Sequence, residues 1–333
     1  MREFEYTVVI PTHNRRDLVL QAVESAWAQT WPPLEVIVVV DGDVDGTAEA
    51  LGSAYSHTRV HTLDGNTGAA GARNAGIALA TAPWIAFLDD DDLWHRDKQD
   101  VLRRYVEAHP DCLAVRPQFW LFHTPEEDPG GAFGLLPELV GASREQLERE
   151  AVGATPLNDL SYLDTEGRSL ELMLERNRGV ISGSVVRREV IDALPPVPDG
   201  LRRGQDWLLF INIAAVTEWH LVPERLVFIR LHAAQITRTK RSAGPEYITA
   251  VLNEVWDRYG SRPAIDLDDY RREYRGMVQG WVWSRIRAAD VPGALSAYRG
   301  ARRFLPHVSD RVHVWTPPPL TWRLERLRFK LVH

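Results

Sequence analysis

The run Val36-Ile37-Val38-Val39-Val40 has no polar face. Five consecutive β-branched residues favour extended backbone and need cover on both sides, which a parallel sheet sandwiched between helices supplies. Similar short runs flank it, at Tyr6–Ile10, Arg59–Leu63 and Trp84–Leu88. Helix-length segments separate them. Asp17–Gln29 is apolar at Leu18, Ala22 and Ala26, with Val19 and Val23 beside them, the stripe of an amphipathic helix. Ala48–Tyr55 and the segment carrying Arg73, Asn74, Ile77 and Leu79 read as two more. Strands and helices alternating at this pitch imply right-handed crossovers and a parallel sheet over residues 1–110.

The alternation then loosens. A helix is expected from Trp94 to about His109, a strand over Val115–His123, and an acidic loop over Pro125–Gly134. Ser143-Arg144-Glu145-Gln146 has the spacing of a capping box. Gly167–Asn177 reads as a helix, Val180–Arg187 as a strand, Leu208–Val216 as an apolar helix and Leu221–Leu231 as a last strand. Beyond Gly244 only helical periodicity remains. Tyr247, Val251, Val255 and Tyr259 form one stripe, Tyr270, Tyr274, Met277, Trp281 and Arg285 a second, and a third helix spans Pro292–Leu305. After Pro317-Pro318-Pro319, apolar Trp322, Leu324, Leu327, Phe329 and Leu331 alternate with Arg323, Arg326, Arg328 and Lys330. The expected organisation is an α/β domain over 1–243, in halves 1–110 and 111–243, and a helical region over 244–333.

Composition removes several function classes. A net charge of −7 argues against nucleic acid as partner. The single cysteine, Cys112, excludes an internal disulfide framework and a multi-cysteine zinc site. Nothing before Tyr6 resembles a leader, and no apolar run reaches the roughly 18 residues of a membrane helix, so a soluble, cytoplasmic protein is expected. The basic, apolar tail suits the inner face of an anionic membrane, its own domain, or a second subunit reached through the C-terminal helices.

At the end of the Trp84–Leu88 strand stand four aspartates, Asp89 to Asp92. Such a cluster is self-repelling unless a cation or donors neutralise it, and the carboxyl ends of parallel strands are where open α/β sheets bind ligands. Read alone, it is equally a solvated acidic turn. Its neighbours argue for the ligand. Val8-Val9-Ile10-Pro11-Thr12-His13-Asn14-Arg15, Glu35 to Gly42 with Asp45-Gly46-Thr47, Asn66 to Asn74, Ile85 to Trp94, Gln205-Asp206-Trp207 and Arg230-Leu231-His232, in that order, resemble family 2 glycosyltransferases.

The resemblance implies a GT-A fold: a Rossmann-like, mostly parallel sheet flanked by helices, here with an all-helical C-terminal extension. It implies an inverting, metal-dependent enzyme that moves one sugar from a UDP, dTDP or GDP donor to a hydroxyl on a glycan, lipid-linked sugar or natural product. Asp41 would accept from the base, and Pro11, Thr12, Arg15 and Asn66 would line the nucleotide. Arg73 would meet the diphosphate through its fork of donors. In the Asp-x-Asp cluster, Asp89 and Asp90 would bond ribose, and Asp91 with His232 would hold Mg2+ or Mn2+. Asp92 would cap the next helix. Asp206 matches the general base. The chain departs from the usual pattern at Val40, Asp43 and Gln205, where an acid, a serine and Glu are common. Trp120, Phe122, Arg178, Ser182 and Trp207 are candidates for the acceptor side. A sugar nucleotidyltransferase and a non-catalytic sugar-nucleotide or glycan-binding protein are the alternatives.

Overall fold

The computed structural model describes residues 4–123, 160–199, 203–232, 244–259, 267–302 and 307–315, with isolated positions at 142, 143, 146, 201, 305 and 317. It divides into two compact units, Met1–Gln235 and Ile236–His333.

The first unit is built on an eight-stranded sheet. Strands β1 (Tyr6–Thr12), β2 (Glu35–Asp41), β3 (Arg59–Leu63) and β4 (Trp84–Phe87) are joined by helices α1 (Arg16–Trp27), α2 (Thr47–Ala54) and α3 (Gly68–Leu79). β3, β2, β1 and β4 lie side by side and parallel, with Val8 opposite Val36 and Ile10 opposite Val38. One face of β1 and β2 packs with Val19, Ala22, Val23 and Ala26 of α1, so the buried stripe begins at Val19, and Leu18 is half-buried. α3 lies on the other face at close range. A side chain at Gly76 would come 2.4 Å from Val9 Cγ1, so only glycine lets the helix backbone reach the strand. The apolar run is thus covered twice, as its composition requires.

In the second half two strands reverse direction. β5 (Leu93–Trp94) follows the acidic turn, then come α4 (Lys98–Ala108), β6 (Ala114–His123), α5 (Ser169–Glu175), β7 (Val185–Arg187), α6 (Arg188–Asp192), α7 (Gln205–Ala214) and β8 (His220–Leu231). β7 runs antiparallel between β4 and β6, β8 is parallel to β6, and β5 is antiparallel to β8. The sheet is mostly parallel but mixed.

Two local expectations change. Val180–Arg187 is not one strand: Ile181–Gly183 forms a 3-10 turn before β7, because the Ser182 carbonyl accepts from the Trp94 indole. The helix expected from Trp94 starts at Lys98, because Leu93 and Trp94 pair with β8 first. Ser143 and Gln146 do exchange the reciprocal bonds of a capping box, each 3.2 Å. The loop expected over Pro125–Gly134 lies outside the described residues.

The second unit contains α8 (Gly244–Tyr259), α9 (Leu267–Arg287), α10 (Val291–Ala301) and α11 (Val308–Trp315). Val251, Val255 and Tyr259 are buried on α8. On α9 the buried line is Tyr274, Val278 and Val282, one residue beyond the expected Met277 and Trp281, which are half-buried. The Tyr274 hydroxyl donates to Asn253. Asp290 caps α10 by accepting from Gly293 N at 2.9 Å and pairs with Arg285. Among the described residues no helix is long and apolar enough to cross a membrane. The tail from 318 onward lies outside them.

Candidate active site

The carboxyl ends of β1, β2 and β4 bring the motif residues together. After β4 the chain turns within Asp89–Asp92, closed by Asp92 N donating to Asp89 O. Each carboxylate has its own donors. Asp89 accepts from Arg73 at 3.0 Å. Asp90 accepts from Thr12 Oγ1 at 2.7 Å and Arg15 at 2.8 Å. Asp91 Oδ2 takes the same Arg15 nitrogen at 2.9 Å and lies 3.1 Å from His232 Nε2. Asp92 accepts from the Ser182 hydroxyl and, at 3.0 Å, from Arg230 N.

Exposure separates the four by alternation. Asp90 and Asp92 are buried, whereas Asp89 and Asp91 are half-buried; the side chains of Asp90, Asp91 and Asp89 are 7%, 14% and 35% exposed. Burial pushes Asp90 up to about 6, against the lowering pull of Arg15. It pushes Asp92 well above the usual carboxylate range, with Asp91 and Asp89 adding to the rise. Burial also raises Asp89, opposed by Arg73. For Asp91, burial is outweighed by the His232 hydrogen bond and the Arg15 charge, which hold it below its ordinary value. Asp92 therefore does not cap a helix. It is buried behind the turn, and Asp97 occupies the position before α4 without a side-chain cap.

Asp41, at the end of β2, faces the start of α3. Its Oδ1 accepts from Thr67 N at 2.7 Å and Thr67 Oγ1 at 2.8 Å, and its Oδ2 from Gly68 N at 2.7 Å. A carboxylate at a helix N-terminus satisfies otherwise unpaired N–H groups and is favoured by the dipole. Pro11 is buried in β1 next to Thr12. His13 Nδ1 lies 2.6 Å from the Asp41 carbonyl, which only accepts, so Nδ1 carries the proton. Nε2 then accepts from Asn66 at 3.0 Å. Arg15 bridges Asp90 and Asp91 through one guanidinium nitrogen. Asn74 reaches Val197 O and Asp199, tying the 197–199 segment to α3.

A profile of the family described as "Glycosyl transferase family 2" matches residues 7–126. The succinoglycan biosynthesis protein ExoO of Rhizobium meliloti is 44% identical over 339 residues, covering 99% of this chain and 88% of the relative. The chain belongs to glycosyl transferase family 2. An uncharacterized glycosyltransferase of Rickettsia felis is 33% identical over 110 residues, and the matched part spans only 18% of that protein. A second, from Rickettsia bellii, is matched over 34% of its length. Among solved structures, the mannosyltransferase PcManGT of Pyrobaculum calidifontis, in complex with GDP-Man and Mn2+, aligns with a TM-score of 0.56 at 16% identity over 90% of this chain and 76% of that one. S. aureus TarS aligns with a TM-score of 0.51 at 13% identity, over 90% and 92%. The fold is GT-A, with helices at the C-terminal end.

In this family member, Asp206 lies in the first turn of α7, after Gly204, whose φ of 72° is left-handed. Asp206 is half-buried and its Oδ2 accepts from Asn177 Nδ2 at 3.0 Å. Its charge reaches Asp89, whose pKa it raises. The acceptor-side candidates each have partners within the protein. The Trp120 indole donates to Arg225 O, and the Trp207 indole to Met173 O. Arg178 bonds Leu172 O, Tyr162 O and Glu175. Phe122 is buried against Arg230 and Phe228. Ser182 is fully buried and braces the acid turn, accepting from Asp89 N while donating to Asp92.

Arg230, Gln21 and Asn177 went unassigned in the sequence. Arg230 Nε donates to Asp91 O at 2.8 Å and its NH2 to Gln21 at 2.7 Å, so it holds the turn by its backbone. Its place two residues before His232 was the one available signal. For a divalent cation, Asp91 Oδ2 and His232 Nε2 form a fitting pair, a carboxylate oxygen and an imidazole nitrogen 3.1 Å apart. No group of three such ligands exists among the described residues, so the remaining positions would fall to diphosphate oxygens and water.

Proposed function

We propose that the chain is an inverting, metal-dependent glycosyltransferase that moves one sugar from a nucleotide diphospho-sugar to a hydroxyl, with Asp206 as general base. The observation that carries this reading is a half-buried carboxylate, Asp206, in the first turn of α7 and held by the Asn177 amide. The acceptor oxygen attacks the anomeric carbon as its proton passes to Asp206, and the bond to the diphosphate oxygen breaks with its electron pair leaving on the diphosphate. Asp91 and His232 would hold Mg2+ or Mn2+, which would supply positive charge to offset that of the leaving diphosphate. Arg73 and Asp89 orient the donor beside it. Asp90, buried with Thr12 and Arg15, supports the turn from beneath rather than meeting ribose directly.

Three of the roughly four acceptor sites on the Asp41 carboxylate are used by Thr67 and Gly68, leaving one for a base N–H. Uracil, thymine and guanine offer such a donor, which suits UDP, dTDP and GDP sugars. The GDP-Man and Mn2+ of PcManGT support a nucleotide-sugar donor with a divalent cation, and the name of ExoO supports a glycan acceptor.

The test is nucleotide release from a panel of sugar nucleotides with Mg2+ or Mn2+. Wild type should release nucleoside diphosphate, and Asp206→Asn should release it at least ~100-fold more slowly while binding nucleotide normally. Release of pyrophosphate would indicate nucleotidyl transfer instead. An Asp206→Asn enzyme as fast as wild type would remove the base assignment.

A further inference from the structure

We propose that Asn177 is the positioning residue for Asp206. The inference rests on the base assignment above. A carboxylate in the first turn of a helix has free backbone N–H groups of its own helix within reach and needs an outside contact to face the substrate instead. Asn177 supplies that contact, and its own orientation is settled. Its Oδ1 accepts from Gly179 N at 2.9 Å, which turns the amide so that Nδ2 points at Asp206 Oδ2, 3.0 Å away.

The neighbours of Asn177 leave it little freedom. Arg178 is tied through three nitrogens, to Leu172 O at 3.0 Å, Tyr162 O at 3.0 Å and Glu175 at 2.7 Å. Gly179 lies against the ring of Phe210, one turn beyond Asp206 on α7 (a Cβ there would sit 2.1 Å from Phe210 Cε2). From the other side of Asp206, the Trp207 indole donates to Met173 O at 2.6 Å. The 173–179 segment and the first two turns of α7 therefore form one frame, joined at Asn177–Asp206, Gly179–Phe210 and Met173–Trp207. Within it, one Asp206 oxygen is held by Asn177, and among the described residues none takes the other, which is left for the acceptor hydroxyl. A residue placed this way selects the rotamer of the base.

The two halves of the Asn177 amide can be separated. The Gly179 turn uses only Oδ1, which an aspartate supplies equally well, whereas donation to Asp206 needs the NH2. Asn177→Asp keeps size and turn and loses the donor. Asn177→Ser keeps a turn acceptor and adds no charge, so it carries the same test should Asn177→Asp not bind nucleotide. The assay uses the full chain with Mn2+ and a panel of UDP-glucose, UDP-galactose, UDP-N-acetylglucosamine, dTDP-rhamnose and GDP-mannose, with water as acceptor. UDP binding by calorimetry reports the fraction of intact sites.

Both variants should bind UDP at wild-type stoichiometry and affinity. Nucleotide release should fall about 10- to 100-fold in Asn177→Ser, the loss of one hydrogen bond to a charged partner. It should fall at least as far in Asn177→Asp, which adds a like charge beside Asp206. In an Asp206→Asn background the same change should cost nothing further, because Asn177 acts through the residue already removed. Wild-type rates for both Asn177 variants, beside an inactive Asp206→Asn, would overturn the positioning role and leave the base assignment standing. So would an undiminished loss in the Asp206→Asn background. An Asp206→Asn enzyme as fast as wild type would instead remove the base assignment, and the positioning role with it.

Discussion

Asp41→Asn is the perturbation that best tests how this site is assembled. The wild-type carboxylate accepts three bonds of 2.7–2.8 Å from the Thr67–Gly68 corner and is 2% exposed. Asparagine is nearly isosteric, but one of its two polar atoms becomes a donor. Whichever way the amide turns, NH2 must face either Gly68 N–H or the two donors of Thr67. At least one bond to a charged acceptor is lost, about 1.5–3 kcal/mol. The charge facing the α3 N-terminus is lost as well, roughly 0.3–1 kcal/mol. Together the cost is about 2–4 kcal/mol, which lowers the melting temperature of a unit this size by on the order of 5–15 °C. Differential scanning fluorimetry with and without UDP reads both effects. A variant that melts with wild type and loses only UDP affinity would refute the capping role and leave Asp41 as a base contact alone.

Two further outcomes follow from the site's charges and the core. Arg15 neutralises Asp90 and Asp91 at 2.8 and 2.9 Å, so Arg15→Ala should melt below wild type in EDTA and gain more from Mn2+. An equal Mn2+ gain in both proteins would show that Arg15 and the cation do not share Asp91. Burial pushes the Cys112 thiol up to about 12 and leaves it 1% exposed. A raised pKa keeps the thiol protonated at pH 8, so the native protein should resist a thiol reagent there and react with one equivalent in guanidinium. Rapid labelling of the native chain would contradict the burial.

Much of the architecture is local information. The apolar run of β2, the α1 stripe and the loops ending in Asp41 and Asp89 are short-range patterns, and side-chain period alone makes them legible. The same holds for the capping box, whose partners are three residues apart. What the sequence could not carry was pairing at a distance. Nothing local places Ser182 against Asp92, Arg230 against the Asp91 carbonyl, or Asn177 against Asp206, because these partners are separated by 90, 139 and 29 residues. The insertion of antiparallel β7 between β4 and β6 brings the 181–183 turn to the acids and breaks the expected strand. Arg15 shows the limit most clearly. Its position after β1 was evident from the sequence, but its direction was decided by one buried and one half-buried carboxylate, 75 and 76 residues away, that required a cation. By itself the sequence determined the strand ends and the residues that stand on them. Tertiary structure decided which of those residues stay partly exposed at the strand ends and which hold the others in place, because burial and charge compensation depend on what the fold brings alongside.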